Sequence, residues 1–247
     1  MAVVNNAIND KVGGSNSGAT NTLTVDNASD TASSQAQINV TVGGTSSGDA
    51  YTTYTVSGTT NWSQGVDNSD SDAYVLSAST ALGTTNLVRT ATTGEINYPL
   101  QPAFLVQLAG NASNVVGNSA TPYQILFDTE VFDQNSDYAS NTFTAPVTGR
   151  YQLSTGISMQ ELTAAMTFGA VTFVASNRTL TGLRFNVGVA MTVAGTANLI
   201  SLVCSDLMDM DASDTCNVSV IINGGASAAV DIIGGTGGSY YSGFLSC

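Results

Sequence analysis

The sequence contains no histidine. That removes Ser-His-Asp and Cys-His catalysis, and every zinc or iron site built on imidazole. Charge is scarce too: Asp, Glu, Lys and Arg make up 9% of the 247 residues, against roughly 25% in ordinary soluble domains. Lys11 is the sole lysine, Arg89, Arg150, Arg178 and Arg184 are scattered, and the net charge is −13. A nucleic-acid binder needs clustered cations to neutralise phosphates, and anionic membrane surfaces favour the same clusters. Neither partner fits. Cysteine is limited to Cys204, Cys216 and Cys247, an odd number that argues against a disulfide framework. A Cys204–Cys216 bridge across a hairpin loop and idle thiols both stay open. The longest apolar runs, such as Val187–Val193 and Leu199–Cys204, are far too short to cross a bilayer. The opening Met1-Ala2-Val3-Val4-Asn5-Asn6 has no basic segment leading into an apolar one, so no secretory signal is expected.

What is present suits strands and turns. The chain is 43% hydrophobic, enough for real cores, and its polar residues are mostly Thr, Ser and Asn. Thr and Val favour a pleated surface, while Gly, Asn and Ser supply bends. Residues 1–20 read as an anchor or flexible entry segment. Residues 21–97 carry short β-like runs at Thr22–Val25, Gln37–Val42, Tyr51–Val56, Tyr74–Ser77 and Leu87–Thr90, separated by turn chemistry. None promises a large core, so two identical neighbours wrapping one axis would help this segment. Pro99 and Pro102 mark a boundary, since proline favours extended backbone and cannot continue a helix or central strand. Residues 98–247 are more apolar. Their expected strands are Ala103–Leu108, Gln124–Phe127, Gly149–Ser158, Met166–Ala175, Leu183–Ala190, Ala197–Val203, Asn217–Ile222, Ala228–Ile233 and Tyr240–Leu245. Strands at such spacing predict an all-β sandwich or jelly roll.

Four stretches of this second half resemble a known family. Pro102-Ala103-Phe104 opens the first strand, followed by Phe127-Asp128-Thr129-Glu130 and Asn135. Phe143-Thr144-Ala145-Pro146-Val147-Thr148-Gly149-Arg150-Tyr151 is similar to an F-x-A-P-x-x-G-x-Y run. Tyr241-Ser242-Gly243-Phe244-Leu245 is similar to a closing F-S-G-F-L element. Together they resemble the C1q/tumour-necrosis-factor-like globular heads, over roughly residues 102–247. The resemblance implies a ten-stranded jelly roll that forms a tight homotrimer, with Phe104, Phe127, Phe143, Tyr151 and Phe244 as core or interface. No Gly-X-Y collagen stalk precedes it, so complement and adipokine roles are not implied. Tyr51–Val56 and Asn61–Asp70 resemble modules of phage fibre-like virion proteins.

Little else carries chemistry. Gly44-Thr45-Ser46-Ser47-Gly48 matches the hydrolase string G-x-S-x-G, but without a histidine or a strand-to-helix context it is an accident of composition. Glu95, Glu130 and Glu161 are the only glutamates and sit in no glycosidase-like signature. The chain reads as non-enzymatic and cofactor-free. Six Asn-X-Ser/Thr strings, at Asn27, Asn39, Asn61, Asn111, Asn177 and Asn217, are what chance yields in such a composition. The run from Asp67 to Asp72 alternates oxygen ligands but lacks the glycine and distal glutamate of an EF-hand loop. Asp206, Asp209, Asp211 and Asp214 are the better calcium candidates, because some C1q-type heads bind calcium near the trimer axis. A solvated acidic loop is the competing reading.

These features predict a homotrimeric bacteriophage structural protein located in the virion and assembled in the host cytoplasm. Its head would contact a host-surface glycan or protein, and its N-terminal half other virion proteins, without nucleic acid or membrane insertion. A tail or head fibre or adhesin comes first and a capsid-decorating trimer second. A secreted carbohydrate-binding module comes last, for want of a signal.

Overall fold

The computed structural model describes residues 20, 22–59, 61–118, 121–188 and 199–247. The anchor segment therefore lies outside the described residues, apart from position 20, as do the ends of two expected strands at 189–190 and 197–198. The chain is all-β, with three antiparallel sheets. The first holds five strands in sequence order: β1 (Ala50–Thr55), β2 (Asn61–Asp67), β3 (Ala73–Ser77), β4 (Asn86–Thr90) and β5 (Ile96–Asn97). Of the expected early strands, Tyr51–Val56, Tyr74–Ser77 and Leu87–Thr90 correspond to β1, β3 and β4. Thr22–Val25 and Gln37–Val42 do not form strands: among the described residues no segment pairs with their backbone.

Strand β2 escapes a search for apolar-in alternation. It buries Ser63, Gly65 and Asp67, while Trp62 and Val66 face outward. The same polarity runs across the sheet, where Tyr54 pairs with Trp62 and Val66 with Tyr74 on the exposed side. Its own core consists of Ala73, Val75 and Leu82. At the end of β2, Asp67 caps a 3-10 turn (Asn68–Asp70) by accepting from the Ser69 and Asp70 amides. Asp70 pairs in turn with Arg89 of β4.

After the Pro99–Pro102 stretch the chain supplies β6 (Ala103–Gln107), β7 (Ala112–Val116), β8 (Tyr123–Gln124), β9 (Thr129–Asp133), β10 (Tyr138–Ala139) and β11 (Thr142–Thr144). Then follow β12 (Gly149–Gln160), β13 (Phe168–Ala175), β14 (Thr179–Phe185), β15 (Ile200–Met210), β16 (Thr215–Asn223), β17 (Val230–Ile232) and β18 (Tyr240–Leu245). One sheet contains β6-β18-β12-β15, the other β11-β16-β13-β14, and the shorter strands extend them. Number the eight principal strands in chain order and the pairs are first with eighth, second with seventh, third with sixth and fourth with fifth. That nesting is a long hairpin wrapped into two layers, which is a jelly roll. The expected strand at Leu183–Ala190 is displaced to Thr179–Phe185, where an edge strand of alternating exposure pairs with β13.

The core lies between the two layers. Phe104, Phe127, Phe143, Tyr151, Phe173 and Tyr241 are all fully buried there. The Phe143–Tyr151 motif shows why its residue types matter. Phe143 stacks on Phe104 at 4.8 Å, and the Tyr151 hydroxyl donates to the Val147 carbonyl at 2.7 Å, closing the bend between β11 and β12. A Cβ on Gly149 would lie 2.6 Å from Leu245 Cδ1, so glycine lets the C-terminal strand lie close to the start of β12.

Candidate functional site

The candidate site is the outer face of the sheet β6-β18-β12-β15. Alternation along β12 sends Tyr151, Leu153, Ile157 and Met159 into the core and leaves Gln152, Ser154 and Ser158 on the other face. Register then builds that face in rows. Leu207, Gln152, Phe244 and Ala103 form one, and Ser205, Ser154, Ser242, Leu105 and Phe132 the next. Val203, Gly156, Tyr240 and Gln107 form the third. These rows contain no ionisable carboxylate, ammonium or guanidinium group. Arg150 and Asp209, paired in register, mark the end of the face. Val203 is 66% exposed, Phe244 51%, Phe132 48% and Leu207 47%. Gly156 lets the Tyr240 ring lie flat on the sheet, since a Cβ there would sit 2.3 Å from Tyr240 Cε1.

The residues singled out from sequence divide sharply. Phe104, Phe127, Phe143 and Tyr151 are enclosed in the subunit's own core, and Phe244 alone of the five reaches the outer face. Leu207, Val203 and Phe132 were not singled out. A partial signal for the first two existed: on one face of β15 Val203 and Leu207 alternate with Ser201, Ser205 and Asp209, opposite Ile200, Leu202, Met208 and Met210.

The acidic candidates do not converge. Asp206 and Asp209 belong to β15 itself, not to a loop. Asp214 accepts from Ser176 Oγ at 2.6 Å, Asn177 Nδ2 at 2.7 Å and the Asp211 amide at 2.9 Å. The bond from Ser176, and after it the one from the Asp211 amide, hold its carboxyl below the usual carboxylate range, with Arg178 adding a smaller attraction. Among the described residues no three Asp, Glu or Cys side chains gather as a metal site would require. The Asp67–Asp72 run is likewise consumed by structure, in the Asp67 cap and the Asp70–Arg89 pair.

Residues 211–214 are not a hairpin loop, because β15 and β16 belong to different sheets and the segment crosses between them. Cys204, Cys216 and Cys247 are free thiols. Burial pushes the Cys216 thiol up to about 11, and burial together with nearby Asp206 does the same for Cys204. Glu95, Glu130 and Glu161 lie on three separate elements: the turn between β4 and β5, β9, and the residue after β12.

No family model matches the chain, and no curated protein matches it. Among solved structures it is similar to the globular domain of a zebrafish complement 1qA protein, at 16% identity and a TM-score of 0.41. The match covers 59% of this chain and 98% of that one. Murine APRIL, crystallised at pH 8.5, covers the same shares at 11% identity and a TM-score of 0.41. Likeness at this level carries no argument, and the jelly roll stands on its own strand pairing.

Proposed function

We propose that the chain is the subunit of a non-enzymatic, homotrimeric bacteriophage virion protein. It acts as a tail or head fibre or adhesin: the jelly-roll head, residues 98–247, meets the host surface, and residues 21–97 form the virion-attachment or stalk module. The carrying observation is the uncharged outer face around Phe244. An uncharged face that exposes Phe244, Leu207, Val203 and Phe132 among serines and glutamines supports an interaction site, and copies arranged about one axis cover it with closed symmetry. Burying the exposed half of Phe244 contributes about 1 kcal/mol per copy, and Val203, Leu207 and Phe132 add comparable amounts. The motif resemblance to C1q-type heads supports a trimer, and the resemblance of Tyr51–Val56 and Asn61–Asp70 to fibre modules supports the virion.

Analytical ultracentrifugation at micromolar concentration should give three times the 25.2 kDa chain mass. Phe244→Asp combined with Leu207→Asp should weaken the association, lowering the sedimentation-average mass at a fixed concentration, with the head still folded. Single chains from the unaltered protein would overturn the reading. On purified particles, quantitative electrophoresis should find a few copies for a fibre, whereas hundreds would make the protein a capsid decoration.

A further inference from the structure

The first sheet leaves one strand's worth of hydrogen bonding unmade in two places. Residues 37–42 run Gln-Ile-Asn-Val-Thr-Val, alternating in β fashion, with Ile38 71% exposed and Val40 and Val42 each 45% exposed. No backbone hydrogen bond joins this segment to any other described residue. Meanwhile, among the described residues, β1 pairs only with β2 and is the edge of its sheet. Its sequence, Ala-Tyr-Thr-Thr-Tyr-Thr, has no lysine, proline or bulge, the devices that normally guard an edge. A donor strand and an acceptor edge thus stand unpaired in the same chain.

Within one chain they are near each other but not hydrogen-bonded. The connection between them is pinned beyond the end of β2 by Asn68. Its side-chain amide donates to the Thr45 carbonyl at 3.1 Å and the Ser47 carbonyl at 2.8 Å, and its backbone amide to Asp49 Oδ1 at 3.0 Å. A turn from Gly44 to Ser47 shortens the connection further. The segment passes over the sheet's exposed face, where Ile38 and Val40 line a groove with Ala50, Tyr51, Thr52 and Tyr54 of β1 and with Val66 and Tyr74, but it makes no backbone hydrogen bond to β1.

We infer that residues 37–42 of one copy add as an outer strand to β1 of a second copy. Each copy then donates one strand and accepts one, a head-to-tail contact that closes into a ring. The added strand makes main-chain hydrogen bonds along the edge, and the displaced segment brings Ile38, Val40 and Val42 to a neighbour's aromatic face. The inference rests on the self-association proposed above and assigns to the N-terminal half a contact of its own.

The test uses the full chain carrying Cys247→Ser. Val40→Cys and Thr53→Cys are placed on differently tagged copies, produced together and treated with a short bismaleimide, whose reach tolerates a shift of register. Cross-linked pairs of unlike tags are expected only when both substitutions are present, and the doubly substituted chain should yield a ladder ending at the closed oligomer. An internal cross-link at single-chain mass would overturn the inference, since the strand would then add in its own chain. So would an oligomer by sedimentation with no link between copies, which leaves the head's association intact and the β1 edge to some other partner. Single chains by sedimentation would refute the self-association itself and this inference with it.

Discussion

Gly243 and Phe104 should be energetically coupled, and the coupling tests the packing of the jelly roll. Gly243 faces the core from β18, between β6 and β12. A Cβ at this position would lie 2.6 Å from Leu153 Cδ2 and 2.8 Å from Phe104 Cε1. Both neighbours are at most 1% exposed and have no room to withdraw. Gly243→Ala should therefore cost roughly 1–3 kcal/mol by overpacking. Phe104→Ala removes a ring that meets Phe143 at 4.8 Å, Tyr241 at 5.0 Å and Tyr138 at 5.4 Å. Its loss should cost roughly 3–5 kcal/mol, transfer and cavity together. Independent effects would sum to about 4–8 kcal/mol, comparable to the whole stability of many domains.

The two are not independent. Removing the Phe104 ring opens the space that the new methyl needs, so the double variant should be about 1–2 kcal/mol more stable than the sum predicts. Leu153 remains in place, which is why relief is partial. The assay is urea unfolding followed by far-UV circular dichroism at one fixed chain concentration, because association shifts apparent stability by mass action. Phe104→Leu can replace Phe104→Ala if the latter does not fold. Additivity within about 0.5 kcal/mol would refute the packing argument.

The depressed carboxyl of Asp214 predicts a pH dependence. A native value below the unfolded one gives stability that is present at neutral pH and lost as pH falls from the ordinary carboxylate range through the native value. Asp214→Ala should thus be less stable than the parent at pH 7, with the gap closing in acid, and a gap constant from pH 7 to pH 2 would contradict this. Thiol labelling gives a second check. At pH 8 iodoacetamide should modify exposed Cys247 first, and buried Cys216, its thiol raised to about 11, only on unfolding. Intact-mass spectra should lose the fast phase in Cys247→Ser, whereas rapid native labelling at Cys216 would contradict its burial.

Much of the head was legible because its strands obey the usual alternation. β12 and β18 bury alternate apolar residues, and the motif glycines and aromatics fall where the sheets approach closely. The first sheet was only partly legible because β2 inverts that rule, burying Ser63, Gly65 and Asp67. The outer face of the head was illegible for another reason. Register sets Leu207 beside Gln152 and Phe244 although the three are far apart in sequence, and no local pattern announces such a row. The acidic residues misled in the opposite direction. Proximity in sequence suggested a loop, but β15 continues through Asp206 and Asp209, turning successive side chains to opposite faces.

The two halves leave apolar surface uncovered for different reasons, and this bears on how each associates. The head completes a large core from its own aromatic residues, so its exposed Phe244 face is surplus to folding. Charging that face should break its contact between copies without unfolding the head. The first sheet has no such surplus: its buried cluster is Ala73, Val75 and Leu82, while Tyr54, Trp62 and Tyr74 stay outside. A sheet with so small a core gains much of its stability from what covers its other side. Association through residues 37–42 would then be coupled to the folding of this sheet, whereas the proposed association through the head would join subunits already formed. Loss of the N-terminal contact should consequently loosen the first sheet and leave the jelly roll untouched.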